Sequence, residues 1–285
     1  MKKIITILCL CLLVSGCEWD YNFNDEYLYT TMYPIEYATK ELYSDHAKIE
    51  SVYPMGSDNT YEVTQKKKDE YAKGTTFIYS GLANEAYLAR DLLNKNGNLQ
   101  LIDATKSMTS EGDISSIWLD PSNYLMLCSN IKSSLIDYND NAYVKEDIEE
   151  HYKELNEKVS ELDVQLYNIG KNGNYNTLLT TNDVFNYLTK YNINIISLDS
   201  DNQQIDKAYS DANKMISNKS IQYLFYLEGD EFTERQQKLI TDYSLIAIEI
   251  NNLFTLNDDE KNANEDYVTI MNNIISEYKK ELYKK

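Results

Sequence analysis

Two histidines, four cysteines and 46 acidic side chains are the groups in this chain of 285 residues that could hold a metal or move a proton. Their spacing matches none of the familiar sites. His46 and His151 stand 105 positions apart, and each reads as a lone surface histidine. There is no CxxC pair, no HExxH and no glycine-rich phosphate loop. Serine and aspartate are common, but two isolated histidines supply no Ser-His-Asp set. Carboxylate pairs such as Glu149-Glu150 and Asp258-Asp259 read as solvated faces. The chain is therefore expected to bind something and not to be an enzyme.

The cysteines divide by position. Lys2 and Lys3 precede a short apolar run from Ile4 to Val14, and Val14-Ser15-Gly16-Cys17 reads as a lipobox. The run falls short of the ~20 apolar residues that span a bilayer, so it is a signal segment and not a transmembrane helix. Residues 1–16 are expected to be a signal peptide, and residues 17–25 a lipidated Cys17 with a polar tether. That places the protein on the extracytoplasmic face of the cell membrane. Cys9 and Cys11 leave with the signal segment, so Cys128 is the one remaining thiol and no internal disulfide can form. Its apolar surroundings mark Cys128 as a small core residue.

The formal net charge is −19. Nucleic acid and a basic membrane-binding face are excluded as partners, and solubility at a crowded surface accounts for the acidity. The 26 tyrosines are spread along the whole chain, which suits aromatic packing with wet hydroxyl tips.

The elements that must position any site alternate. Tyr27 to Thr31, Ala47 to Tyr53, Thr75 to Tyr79 and Leu99 to Ile102 read as strands. Helical stretches fall at Pro34 to Ser44, Gln65 to Lys73, Glu85 to Asn94 and Pro121 to Ile136. A segment without Gly or Pro then runs from Asn141 to Ile169. Its apolar positions Ile148, Tyr152, Leu155, Val159, Leu162 and Leu166 form one helical face. A helix of that length is about 42 Å long. It reads as a strut across two lobes, with a coiled coil as the alternative, and it closes near Gly170 and Gly173. Beyond it, strands are expected at Thr177 to Thr181, Ile193 to Leu198, Ile221 to Leu227 and Leu245 to Ile250. Helices are expected at Asp183 to Tyr191, Asp206 to Asn218, Glu231 to Thr241 and Glu265 to Tyr283. The fold class is α/β: two lobes, each a mainly parallel sheet flanked by helices, joined by one long interlobe helix. The lobes are assigned to 26–142 and 171–285, with the helix at 143–170. A cleft between such lobes is the natural ligand site.

Several stretches, in order, carry a resemblance. Tyr53 to Glu62 looks like a Pro-x-Gly-x-Asp-Pro-His-x-Tyr-Glu loop with one residue deleted. Thr75 to Glu85, TTFIYSGLANE, looks like a strand followed by "NGLxLE". Ile117-Trp118-Leu119-Asp120-Pro121 matches "HxWLDP", the most specific of them. Leu179 to Leu188, LTTNDVFNYL, looks like "VTSHDAFGYL", and Ile250 to Leu253 looks like "LDPL". Together they resemble the zinc and manganese solute-binding lipoproteins of ABC importers over nearly all of the mature chain. The resemblance implies a capture subunit that presents its cargo to a membrane permease, and a monomer.

Carried over residue by residue, the family's metal ligands fall on Asn59 (or Thr60, given the deletion), Ser116, Asn182 and Asn251. Each change removes an imidazole or a charge, whereas zinc favours nitrogen and sulfur donors with deprotonated groups to offset its charge. Neither zinc nor manganese is therefore expected as a bound cofactor, and the metal site is read as degenerate. A rebuilt site of hard oxygens would draw on Asp58, Asp183 and Glu249. An amide-lined cleft for an uncharged or zwitterionic solute is the other route. The competing function is a surface adhesin or accessory lipoprotein that kept the fold without metal cargo.

Overall fold

The computed structural model describes residues 26–58, 60–110 and 112–285. The signal segment, Cys17, its tether and Asn59 lie outside the described residues.

Each half of the chain builds a four-stranded parallel sheet with the same order. In the first lobe β1 (Tyr27–Thr30) lies between β2 (Lys48–Ser51) and β3 (Thr76–Tyr79), and β4 (Gln100–Asp103) pairs with β3. In the second, β5 (Thr177–Thr180) lies between β6 (Asn194–Ser197) and β7 (Tyr223–Leu227), and β8 (Ile246–Ile250) pairs with β7. Leu28 sits opposite both Ile49 and Thr76, and Leu179 opposite both Ile196 and Leu224. The strand order turns back beside the first strand of each lobe. Crevices at such a turn open at the carboxyl ends of the strands.

Helices α1 (Tyr33–Tyr43), α2 (Gln65–Tyr71), α3 (Glu85–Lys95), α4 (Ser116–Leu119) and α5 (Pro121–Tyr138) belong to the first half. The single turn α4 was not anticipated from the sequence. The strut is α6, Ala142–Asn172, an unbroken helix of 31 residues. Asn141 caps its start by accepting the N–H of Tyr143 at 3.0 Å. Ile148, Leu155, Val159, Leu162 and Leu166 are buried along it, the face that the periodicity marked. It packs on α1 and α5 at one end and on the last helix at the other. Gly173 is its C-terminal cap, whereas Gly170 is inside the helix. A Cβ at Gly170 would stand 1.9 Å from the carbonyl oxygen of Tyr191, so this glycine exists for close approach and not for termination.

In the second half, the helix expected at Asp183–Tyr191 is present, wound as 3₁₀ turns. Helices α7 (Ile205–Ser217), α8 (Glu234–Tyr243), α9 (Asp258–Asn262) and α10 (Tyr267–Leu282) follow. Helix α8 starts three residues later than the sequence suggested, because Thr233 and Gln236 form a capping box there.

The lobes share one core. Tyr267, at the start of α10, stacks on Tyr124 of α5 with ring centres 3.9 Å apart, and its hydroxyl donates to the Trp118 carbonyl at 2.7 Å. Across the cleft, the Tyr33 N–H donates to the Phe254 carbonyl at 2.9 Å and the Gly56 N–H to the Leu256 carbonyl at 3.0 Å. Lys190 of the second lobe reaches Asp120 and Ser122 at the start of α5. Cys128 is fully buried in this core, and burial pushes its thiol far above the ordinary range.

Candidate functional site

Strand ends bring the site residues to the cleft. The loop after β2 carries Asp58 and Thr60, and the segment before α4 carries Asp113, Ile114 and Ser115. The turn after β7 carries Glu228, Gly229 and Asp230, and the loop after β8 carries Asn252 and Phe254. With Trp118 and Leu227 they line one cavity of about 280 Å³ between the lobes. Among the described residues its ionisable lining is four carboxylates, Asp58, Asp113, Glu228 and Asp230, without a Lys, Arg or His.

Two of the substituted ligand positions are held in the same way. Asn182 follows β5, and its side-chain oxygen accepts the N–H of Val184 at 3.1 Å, capping the 3₁₀ turns. Its NH₂ group donates to Asp230 Oδ2 at 2.6 Å. Asn251 follows β8. Its oxygen accepts the N–H of Leu253 at 2.6 Å, and its NH₂ group donates to Glu260. In both, the amide oxygen, the one atom that could ligate a cation, already serves a backbone turn.

Ser116 opens α4 and is buried, with an Oγ that has no hydrogen-bond partner among the described residues. Its neighbours Ser115 and Trp118 face the cavity, while Ser116 is not among the lining residues. The Trp118 indole N–H crosses the cleft to the Asn252 carbonyl at 2.8 Å.

The three alternative oxygens separate. Asp58 lines the cavity and accepts from both the N–H and the hydroxyl of Thr60, at 2.8 and 2.6 Å, which hold its carboxyl below the usual range. Asp183 is half-buried, across from Gly112, and does not line the cavity. Glu249 is exposed on β8 near Tyr226 and does not line it either. Among the described residues no group of three or more His, Cys, Asp or Glu side chains is arranged to hold a metal ion. Both histidines are elsewhere, His46 with its Nε2 3.0 Å from Asp147 and His151 with its Nδ1 3.2 Å from the Leu42 carbonyl.

Sequence reasoning missed Asp113, Glu228 and Asp230. A signal was present for the last two: Glu228-Gly229-Asp230 directly follows an apolar strand, and Gly229 adopts φ +90°, which favours glycine. Burial is the main cause that raises both carboxyls above their ordinary values. The hydrogen bonds from Thr181 and Asn182 pull Asp230 back down, and the Asn252 N–H does so for Glu228.

A family model described as the periplasmic component A of the zinc-uptake complex matches residues 28–281. The chain belongs to this family. The family's description is that of a transport component and not of an enzyme. It is 24% identical over 301 residues to the zinc-binding lipoprotein AdcA of Streptococcus pneumoniae, an alignment covering 95% of this chain and 59% of AdcA. The chain thus spans less than two thirds of the length of that relative. The Zn(II)-bound ZnuA-like domain of AdcA superposes with a TM-score of 0.72 at 20% identity, covering 91% of this chain and 99% of the domain. The metal-dependent lipoprotein YcdH of Bacillus subtilis gives 0.74 at 18% identity, covering 90% and 99%. A Mn-bound periplasmic metal-binding protein of Candidatus Liberibacter asiaticus shares the fold at 15% identity. Within the described residues no helix is long and apolar enough to cross a membrane.

Proposed function

We propose that the chain is the extracytoplasmic capture subunit of an ABC importer, a monomer held to the membrane by lipid on Cys17, with an interlobe site that has lost transition-metal chemistry. The observation that carries this reading is the shared arrangement of Asn182 and Asn251. Each commits its oxygen to a backbone N–H and turns its NH₂ group to a carboxylate. A donor in the position of a ligand repels a cation and holds the nearby carboxylate for itself. Family membership supports the transport role: the family is described as a zinc-uptake component, and AdcA as a zinc-binding lipoprotein. In this reading 26–142 and 171–285 are the lobes and 143–170 the helix between them. Cargo held in the cleft is passed to a membrane permease.

Metal analysis of the purified mature protein, with a thermal-shift series in zinc, tests the site. No stoichiometric zinc and a nearly constant melting temperature are expected. Tight zinc whose removal by a chelator lowers the melting temperature strongly would overturn the reading. Changing Cys17→Ala tests the anchor, and unaltered membrane retention of that variant would sink it.

A further inference from the structure

A further cavity lies at the opposite ends of the first lobe's strands from the cleft. It has a volume of about 440 Å³ and is built where the chain enters β1, β3 and β4, against the ends of α1 and α5. That size suits a small molecule. Leu28 and Leu135 give it buried apolar surface, and Tyr138 gives it a ring that is 46% exposed. Among the described lining residues Glu26 is the one carboxylate, and there is no Lys, Arg or His.

Three amides of the lining are fixed in the same sense. Asn96 Oδ1 accepts the N–H of Asn98 at 3.0 Å, Asn139 Oδ1 accepts the N–H of Asn141 at 2.8 Å, and Gln100 Oε1 accepts the hydroxyl of Thr76 at 3.1 Å. A backbone N–H can only donate, so the two asparagines cannot be turned round. Their NH₂ groups are less used. Asn96 gives one N–H to the Ala72 carbonyl at 2.8 Å, and Asn139 gives one to the Tyr43 hydroxyl at 2.9 Å. The NH₂ of Gln100 has no acceptor among the described residues. An amide carries two N–H donors, so each of the three keeps a donor in hand while its oxygen is spoken for. Glu26 is the reverse. Its Oε1 accepts the Thr75 hydroxyl at 3.3 Å, and Oε2 has no donor among the described residues. Burial is the main cause that raises its carboxyl above the ordinary value.

We propose that this cavity binds one ring of a neutral sugar, whose hydroxyl oxygens accept from Asn96, Gln100 and Asn139 while one hydroxyl donates to Glu26 and the ring lies against Tyr138. A hydroxyl both donates and accepts, so one kind of group serves the amides and the carboxylate alike. The aromatic ring offers an apolar face to the carbon side of the sugar. An anion would meet Glu26 with no Lys or Arg to hold it, in a chain of net charge −19. A cation would find one carboxylate and three amides that turn their donors outward. The site stands apart from the interlobe reading and does not depend on it.

Calorimetry and thermal shift on the mature protein test this with D-glucose, D-galactose, N-acetyl-D-glucosamine and the disaccharide cellobiose. Glycine, a zwitterion, is the comparator. At least one of the sugars should bind saturably in the millimolar range and raise the melting temperature with concentration. Binding by a single ring or by cellobiose supports the proposal, and the tighter of the two tells a free sugar from the end of a glycan. Gln100→Glu keeps the acceptor for Thr76 and removes the NH₂ group, so it should weaken binding about tenfold. Tyr138→Ala, at an exposed side chain, should weaken it severalfold, and it decides the matter if Q100E does not fold. Asp230→Asn, in the interlobe cavity, should leave it unaltered. No saturable response to any of the sugars at tens of millimolar would overturn the proposal, as would glycine binding more tightly than all of them. Y138A binding like the parent would overturn it too. Loss of binding in D230N alone would do the same, because the sugar would then lie in the interlobe cavity.

Discussion

The side-chain NH₂ of Asn182 donates to Asp230 across 2.6 Å, and both groups sit at the carboxyl ends of adjacent strands in the second lobe. The pair is self-sufficient: Asn182 caps its own turn, and Asp230 also accepts from Thr181 at 3.2 Å. Both bonds go to Oδ2, so a cation entering the cleft would compete with them at that oxygen.

Zinc response should therefore need reconstruction of the site. The unmodified protein should keep its melting temperature in micromolar zinc. A variant with N59H, S116H, N182H and N251D should gain several degrees, since metal stabilises the state that binds it. Ser116 is buried, so circular dichroism must first show that S116H folds. A folded variant without response would mean that the loop carrying residue 59 is out of register.

Glu85 should make stability depend on pH. Burial raises its pKa from 4.5 to about 7, so the folded chain keeps a proton that the unfolded chain has lost. The sign is destabilising with rising pH: stability falls as pH goes from about 4.5 to about 7 and levels off above. The loss amounts to roughly 3 kcal/mol at most. Glu85→Gln should flatten this part of the profile, read as the difference between the two proteins in urea titrations.

Trp118→Phe should cost about 2 kcal/mol, because the Asn252 carbonyl loses its partner across the cleft. Trp118 is one of two tryptophans, and the other is Trp19 near the expected lipid anchor. Emission from Trp118 should shift when a ligand fills the interlobe cavity, and W118F should remove that signal. An unchanged denaturation midpoint would show that the indole bond adds nothing to the lobe contact.

Gly170→Ala should be severe for so small a change, with a loss of about 3 kcal/mol or more. The added carbon would sit 1.9 Å from a backbone oxygen, and backbone cannot move aside as a flexible side chain can. A mild effect would mean that Tyr191 and α6 separate readily.

Much of this architecture was determined by the sequence itself. Apolar spacing from Ile148 to Leu166 marked the strut, and alternating strands and helices marked two parallel sheets, because burial of one face imposes a period on the chain. The ordered motifs around Trp118, Asn182 and Asn251 placed the family. Periodicity reports burial and is silent about hydrogen bonding between distant segments. Only the tertiary structure decided that Asp230 meets Asn182, which is 48 positions away, and that Glu260 meets Asn251. It also decided that Gly170 serves close packing and not helix termination, since that role depends on where Tyr191 returns. The carboxylates of the cleft were legible as acidic residues, but their convergence in one cavity follows from the crossing of loops from separate strand ends. Glu85 read as the last residue of the stretch that resembles a strand followed by "NGLxLE". That its carboxyl would be buried, with Oε2 on the Ser80 N–H, is a property of the packed chain, set by neighbours that no local pattern could name.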